Sequence, residues 1–310
     1  DPKPDEATST QKTWILNYLT SFINTLKGAS FADPVNGYSQ YIDAGSFMDH
    51  FWLQEMMRNV DAYVVSAFMF KDRLGKLHVG PLWDFNAALG HMNFMSGEYT
   101  AGWDYPLRGF DPVANIFPRL RQDPEYELAL WDRWFDLREY EFSEEKLLGD
   151  IDYYADYLDE ALGRNNQRWP LLGIKILFEN GENDLGNVYA YPTYQEHIDA
   201  MESWLVARLD WIDSQFWGTP VIFNKDGGEV NTGFSLTMTR PAGKTGTIYY
   251  TLDGTDPRQP YTGAAVGTTY SGAITLTQTV TVKARYKSGT IWSALNEATF
   301  IVGSPVVINE

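Results

Sequence analysis

Asn59-Val60-Asp61 and, further along, Gly80-Pro81-Leu82-Trp83-Asp84-Phe85-Asn86 bracket the stretch whose reading decides the fold. Between them, Tyr63 to Phe70 and Leu77 to Leu82 are rich in Val, Phe, Tyr and Leu, and the joining segment Lys71-Asp72-Arg73-Leu74-Gly75-Lys76 is polar and carries a glycine. Two β-rich runs around a polar turn predict a β-hairpin. A hairpin returns the chain to its starting level, so Asp84 is expected close to Asp61. Two carboxylates at adjacent ends of a hairpin, beside a helix, form a candidate pair for holding a metal and orienting a nucleophile.

Outward from the hairpin the signals are helical. Trp14, Ile15, Tyr18, Leu19, Phe22, Ile23 and Leu26 recur at spacings of three and four, which predicts one apolar helix face over Gln11 to Leu26, stopped at Gly28. A second helix is expected from Ala44 or Ser46 through Arg58. Beyond the hairpin, Asp123-Pro124 opens a helix with a capping residue followed by proline at the first helical position. Ser143 opens another, to about Arg168. Thr193-Tyr194-Gln195-Glu196 is a capping box for a third, whose face holds Ile198, Met201, Leu205, Leu209 and Ile212. Trp14, Trp52, Trp134, Trp204 and Trp211 fall at helical core spacings. Trp103, Tyr105 and Phe110 lie in a loop near the candidate pair, where they are expected as core residues or as a binding wall.

At Gly218-Thr219-Pro220 the composition turns over to Thr, Val, Tyr and Gly with short alternating runs, such as Thr279-Val280-Thr281-Val282-Lys283-Ala284-Arg285-Tyr286. Alternation with Asp-Gly and Ser-Gly turns predicts an antiparallel β-sandwich. The expected organisation is therefore α+β and multidomain. A mainly helical module with a β-hairpin spans 1–218, a β-sandwich spans 219–303, and 304–310 form a linker or the start of a further domain.

The formal charge of −17 divides into −18 over residues 1–218 and +1 over 219–310. That sign repels nucleic acid and anionic membrane surfaces and attracts divalent cations or basic partners. The chain has no cysteine, which excludes disulfides, thiolate zinc sites and cysteine nucleophiles. No run approaches the ~18 apolar residues of a membrane span. His50, His78, His91 and His197 are scattered without metal-ligand spacing.

In protein kinases a catalytic-loop Asp is followed five residues later by Asn, and a metal-binding Asp precedes Phe after the next hairpin. Here the fifth residue after Asp61 is Ser66. On this logic Asp61 orients or accepts the proton of an attacking hydroxyl, and Asp84 holds a metal against nucleotide phosphates. A carboxylate pair roughly 5 to 10 Å apart also suits glycoside hydrolysis, but the residues around Asp61 and Asp84 follow the kinase pattern. Gly37-Tyr38-Ser39-Gln40-Tyr41-Ile42-Asp43-Ala44-Gly45-Ser46-Phe47, Asn59-Val60-Asp61, Gly75-Lys76-Leu77 and Gly80-Pro81-Leu82-Trp83-Asp84-Phe85 resemble the spore-coat CotH kinase family, and Asp123-Pro124, Arg133-Trp134 and Arg168-Trp169-Pro170 extend the resemblance over about residues 11–217.

The resemblance implies a kinase-like fold, ATP with Mg²⁺ or Mn²⁺ as ligands, and phosphate transfer to protein Ser or Thr. Asp61 is then the catalytic aspartate, Asp84 and Ser66 the metal residues, and Asn59 and Asn86 the cofactor contacts. Ser66 stands where an asparagine would be the better ligand, and Asn86 replaces the second acid of a Trp-Asp-Phe-Asp run. No glycine-rich phosphate loop or strand-borne lysine precedes Asp61, so this chain alone is expected to be inactive. The alternative is a non-catalytic surface protein serving adhesion or polysaccharide binding.

In the second module, Ile248-Tyr249-Tyr250-Thr251-Leu252-Asp253-Gly254-Thr255-Asp256-Pro257, Val282-Lys283-Ala284-Arg285 and Trp292-Ser293 resemble the immunoglobulin-like C-terminal domain of chitobiases and β-hexosaminidases. Asp253 and Asp256 are read there as turn residues rather than calcium ligands. The two resemblances together imply an extracellular or cell-surface bacterial protein, with a protein substrate or surface partner and no nucleic acid.

Overall fold

The computed structural model describes residues 3, 5–63, 66–106, 116–175 and 189–303. The fold is α+β and multidomain: six α-helices among the described residues, with one hairpin between the second and third, precede a mostly antiparallel β region. The chain divides into two compact units, residues 1–127 with 144–212 and residues 128–143 with 213–310.

In the first unit, α1 (Ser9–Lys27) starts at a capping box in which Thr8 and Gln11 satisfy each other's backbone donors. Its stripe is only partly covered. Phe22 and Leu26 are buried, whereas Trp14, expected in the core, is 51% exposed. Trp14 instead stacks on Tyr18, and the Lys71 ammonium sits 5.0 and 4.7 Å from the two ring centroids. Helix α2 (Ala44–Met57) is capped by Asp43, which accepts from the Ser46 N–H at 2.8 Å, and it ends on Arg58 in the left-handed conformation.

Phe47, Phe51, Trp52 and Met56 of α2 lie in the core. The hairpin is shorter than its sequence suggests. Strands β1 (Met69–Lys71) and β2 (Leu77–Val79) pair antiparallel, with Phe70 opposite His78. A buried Tyr63 precedes the strand as part of a turn. Next come α3 (Ile116–Leu120), α4 (Pro124–Glu139), α5 (Glu144–Arg168) and α6 (Tyr194–Ser214). The Thr193 hydroxyl and Glu196 carboxylate make the expected box at the start of α6, and Ile198, Leu205, Leu209 and Ile212 are buried along it.

The second unit combines most of α4 with the ten strands of the β region, β3 (Ile222–Phe223), β4 (Gly228–Asn231), β5 (Phe234–Leu236), β6 (Met238–Thr239), β7 (Thr247–Thr251), β8 (Thr268–Thr269), β9 (Ile274–Leu276), β10 (Val280–Ser288), β11 (Ile291–Trp292) and β12 (Asn296–Gly303). The main sheet runs β4-β12-β10-β7-β8, with β11 on β10; β12 and β4 are parallel and the other pairs antiparallel. Pairs β3-β6 and β5-β9 lie apart from it. Leu236, Val282, Ala284, Tyr286 and Phe300 centre its core.

Helix α4 joins this unit through charge as well as apolar packing. Asp132 accepts both terminal nitrogens of the buried Arg285 guanidinium at 2.8 and 2.6 Å, and Asp256 takes a further pair of bonds from the same group. Burial works against the Arg285 charge, but these two carboxylates outweigh it and raise the group's pKa. Asp256 also accepts from the Arg258 N–H, and Asp253 from the Thr255 N–H, so both act in turns. Residues 304–310, expected as a linker or domain start, lie outside the described residues.

Candidate metal and catalytic site

The site grows from the C-terminal end of α2. Arg58 caps the helix with φ of 48°, Ala62 N–H donates to the Asn59 carbonyl at 2.9 Å, and Tyr63 turns the chain again with φ of 65°. These tight turns hold Asp61 half-buried just beyond the helix. On the return side the Gly80 N–H donates to the Phe68 carbonyl at 2.8 Å, extending the hairpin ladder toward Asp84. Asp84 is exposed in the left-handed conformation, φ 63°, and the Leu89 N–H donates to the Met57 carbonyl at 2.7 Å. Both acid-bearing loops are thereby tied to one helix end.

Asn59 joins them directly. Its Oδ1 accepts from the Asp61 N–H at 3.2 Å and its Nδ2 donates to the Asp84 carbonyl at 3.2 Å, with the side chain wholly buried. Both ends of the amide are occupied by backbone, so Asn59, expected to contact a cofactor, instead spans the two loops. Ser66, read as a metal residue, is also buried, and its N–H donates to the Asp61 carbonyl at 3.3 Å. Asp61, Asp84 and Asn86 keep side chains that are at least partly accessible.

Among the described residues no group of three or more His, Asp or Glu is arranged to hold a metal ion. Asp61 and Asp84 offer hard oxygen donors, the chemistry that Mg²⁺ and Mn²⁺ prefer.

Behind the site lies a charged core that sequence reading missed. Glu55 accepts from the Asp104 and Tyr105 N–H groups at 3.0 and 2.7 Å and from the Tyr63 hydroxyl at 3.1 Å. Arg208 of α6 donates to the Glu55 carbonyl and carboxylate and to the Thr100 and Gly102 carbonyls. Arg58 donates to the Ser96, Ala101 and Gly102 carbonyls and lies 3.5 Å from Asp104. Burial raises the Glu55 pKa, with Asp104 adding to it, and lowers that of Arg208 to about 10, still charged at neutral pH. Such a network pins the 96–105 loop against α2 and α6. The available signal was position: Glu55 follows Phe51 by four residues and Arg208 follows Trp204 by four, so each charge sits on an apolar helix face.

Trp103 and Tyr105 take part in the aromatic packing of the first unit. Trp103 packs on Phe51, Trp52 and Trp211, with its ring centroid 4.9 Å from that of Trp211, and the Arg121 guanidinium lies over Trp103 and Tyr105. Phe110 lies outside the described residues. No helix among the described residues is long and apolar enough to cross a membrane.

A family profile described as CotH kinase protein matches residues 1–212, and one described as Fn3 associated matches residues 236–295. No curated protein matches the chain.

Proposed function

Because the chain belongs to the CotH kinase protein family, we propose that its first unit is a phosphoryl-transfer lobe acting on Ser or Thr hydroxyls of a polypeptide, with ATP as donor. The observation that carries this reading is the Asn59 amide, which fixes the Asp61 and Asp84 loops to one another.

In this reading Asp84, exposed at the end of the hairpin, ligates Mg²⁺ or Mn²⁺ together with nucleotide phosphates, and Asn86 lies beside it as a neutral contact. The metal, when bound, neutralises charge that develops on the phosphoryl oxygens. Asp61 accepts a hydrogen bond from the acceptor hydroxyl and takes its proton as the oxygen–phosphorus bond forms and the bond to ADP breaks. Ser66 and Asn59 hold the loops without touching reactants. Residues 5–63 form α1, α2 and turns, with no glycine-rich strand pair and no strand-borne lysine to clamp phosphates. Metal-dependent nucleotide binding, rather than rapid turnover, is the activity expected of this chain.

A second reading, a non-catalytic protein acting at a surface, is favoured by the small donor set left once Ser66 and Asn59 are committed to the interior. Under either reading the second unit serves as a spacer, and the protein works outside the bacterial cell or on its surface. Binding of a fluorescent, non-hydrolysable ATP analogue with and without Mn²⁺ separates the two. Mn²⁺-dependent binding that falls about tenfold or more in Asp84→Ala supports the kinase lobe. Binding that ignores both Mn²⁺ and Asp84 removes it and leaves the surface role.

A further inference from the structure

A pocket of about 480 Å³ opens beside the Asp84 loop, within the range typical of ligand sites. Three parts of the first unit build it: the loop from Phe85 and Asn86 to His91, the last turns of α5 with Asn165 and Asn166, and the first turns of α6 with His197 and Met201. Tyr189 closes another side, its ring 6.2 Å from that of His91. The wall begins at Phe85, the residue after Asp84, so whatever fills the pocket lies next to the proposed metal residue.

The lining is unlike the surface around it. The first 218 residues carry 35 acidic and 17 basic side chains, yet no Lys, Arg, Asp or Glu is among the described residues that line the pocket. Burial, with His197 adding, lowers the His91 pKa, so its imidazole is neutral at neutral pH. Burial pushes the Tyr189 phenol up to about 12, so it stays protonated. What remains is an apolar floor edged by three carboxamides and by imidazole and phenol rings.

Phosphoryl transfer brings together two reactants of opposite electrical character. The triphosphate is polyanionic and calls for metal and cationic side chains, none of which this wall supplies. A carboxamide carries one acceptor and one donor group, the same pair that a peptide bond presents, so Asn86, Asn165 and Asn166 can bond a main chain whatever its sequence. Leu89, Ile198 and Met201 offer apolar surface for a side chain. We infer that this pocket receives the acceptor polypeptide, holding uncharged residues that flank the phosphorylated Ser or Thr. The inference rests on the kinase reading of Asp61 and Asp84, and it adds the substrate class at that site.

The test is fluorescence anisotropy of the chain with labelled Ser-centred octapeptides whose flanking residues are Leu and Gln, Lys and Arg, or Asp and Glu. The Leu/Gln set is expected to bind best. Met201→Lys, which brings a charge to the wall, is expected to weaken it about tenfold or more. Asn165→Asp, on the exposed side of α5, serves as a second variant should Met201→Lys fail to fold. Preference for a charged set, displacement of peptide by adenosine, or unchanged affinity in a folded pocket variant each overturns the inference. Mn²⁺ titration of Asp84→Ala runs alongside: loss of metal binding with no peptide binding sinks the pocket alone, whereas unchanged metal binding sinks the kinase reading itself.

Discussion

The side-chain amide of Asn59 donates to the Asp84 carbonyl at 3.2 Å while its oxygen accepts from the Asp61 N–H at the same distance. One buried residue thus sets the spacing of two loops far apart in sequence. Replacing it with Ala leaves a buried donor and acceptor unsatisfied, at a cost of about 1 to 3 kcal/mol each at most. Asn59→Ala is expected to lower the unfolding midpoint of the first unit and also to weaken Mn²⁺ binding, although Asn59 cannot ligate the ion. Lower stability with unchanged Mn²⁺ affinity at a temperature where the variant is folded would reduce Asn59 to a structural residue.

His50 supplies a pH test. It is buried on α2, stacked against Phe117 at 6.1 Å, and neither ring nitrogen has a hydrogen-bond partner. Burial lowers its pKa from 6.5 to about 4. A histidine held neutral in the fold binds its proton more readily when unfolded, so the unfolded state gains protons between pH 6.5 and 4. Stability is therefore full above pH 6.5 and falls through that window, by about 3 kcal/mol in total. Urea unfolding at pH 7 and pH 5 should show the loss, and His50→Leu should flatten it. A His50→Leu protein with the same pH dependence as the parent would assign the effect elsewhere.

In the second unit, Asp132 from α4 is one of two carboxylates on buried Arg285. Asp132→Ala removes two charge-assisted bonds and the bond from the Leu295 N–H, and leaves the guanidinium to Asp256 and the Ser293 carbonyl. The expected loss is about 2 kcal/mol, read as a lower melting temperature of the β region. A β-region fragment that starts at Gly218 lacks Asp132 and should show the same deficit. Equal stability of fragments with and without residues 128–143 would refute the role given to α4.

Much of this architecture was legible because its signals are local. Thr193 with Glu196, Asp123 before Pro124, and the alternation in Thr279 to Tyr286 each act over a few residues, and each appears in the structure as read. What escaped depends on contacts between distant segments. Periodicity tells which residues of α1 share a face but not whether anything covers it, so Trp14 was placed in the core and stands half exposed. Charged residues read as surface, so the Glu55–Arg208 pair on apolar helix faces, and the Asp132–Arg285 pair, whose Arg285 alternates with the core residues of β10, escape a sequence reading. That the Asp61 and Asp84 loops are linked through their backbone groups was foreseeable from the hairpin, whereas the burial of Asn59 and Ser66 was not. Their placement depends on the left-handed turns at Arg58, Tyr63 and Asp84, a conformation that Asp favours but Arg and Tyr do not.

The central claim is that Asp61 and Asp84 serve one metal–nucleotide site, and a double-mutant cycle on Mn²⁺ affinity tests it most directly. Mn²⁺ binding is followed by electron paramagnetic resonance, in the presence of a non-hydrolysable ATP analogue, for the parent chain, Asp61→Ala, Asp84→Ala and the double variant. A shared site predicts weaker binding in both single variants and a clear departure from additivity in the double, since each carboxylate acts on the same ion. Independent, additive effects, or an affinity indifferent to Asp84, would contradict the account.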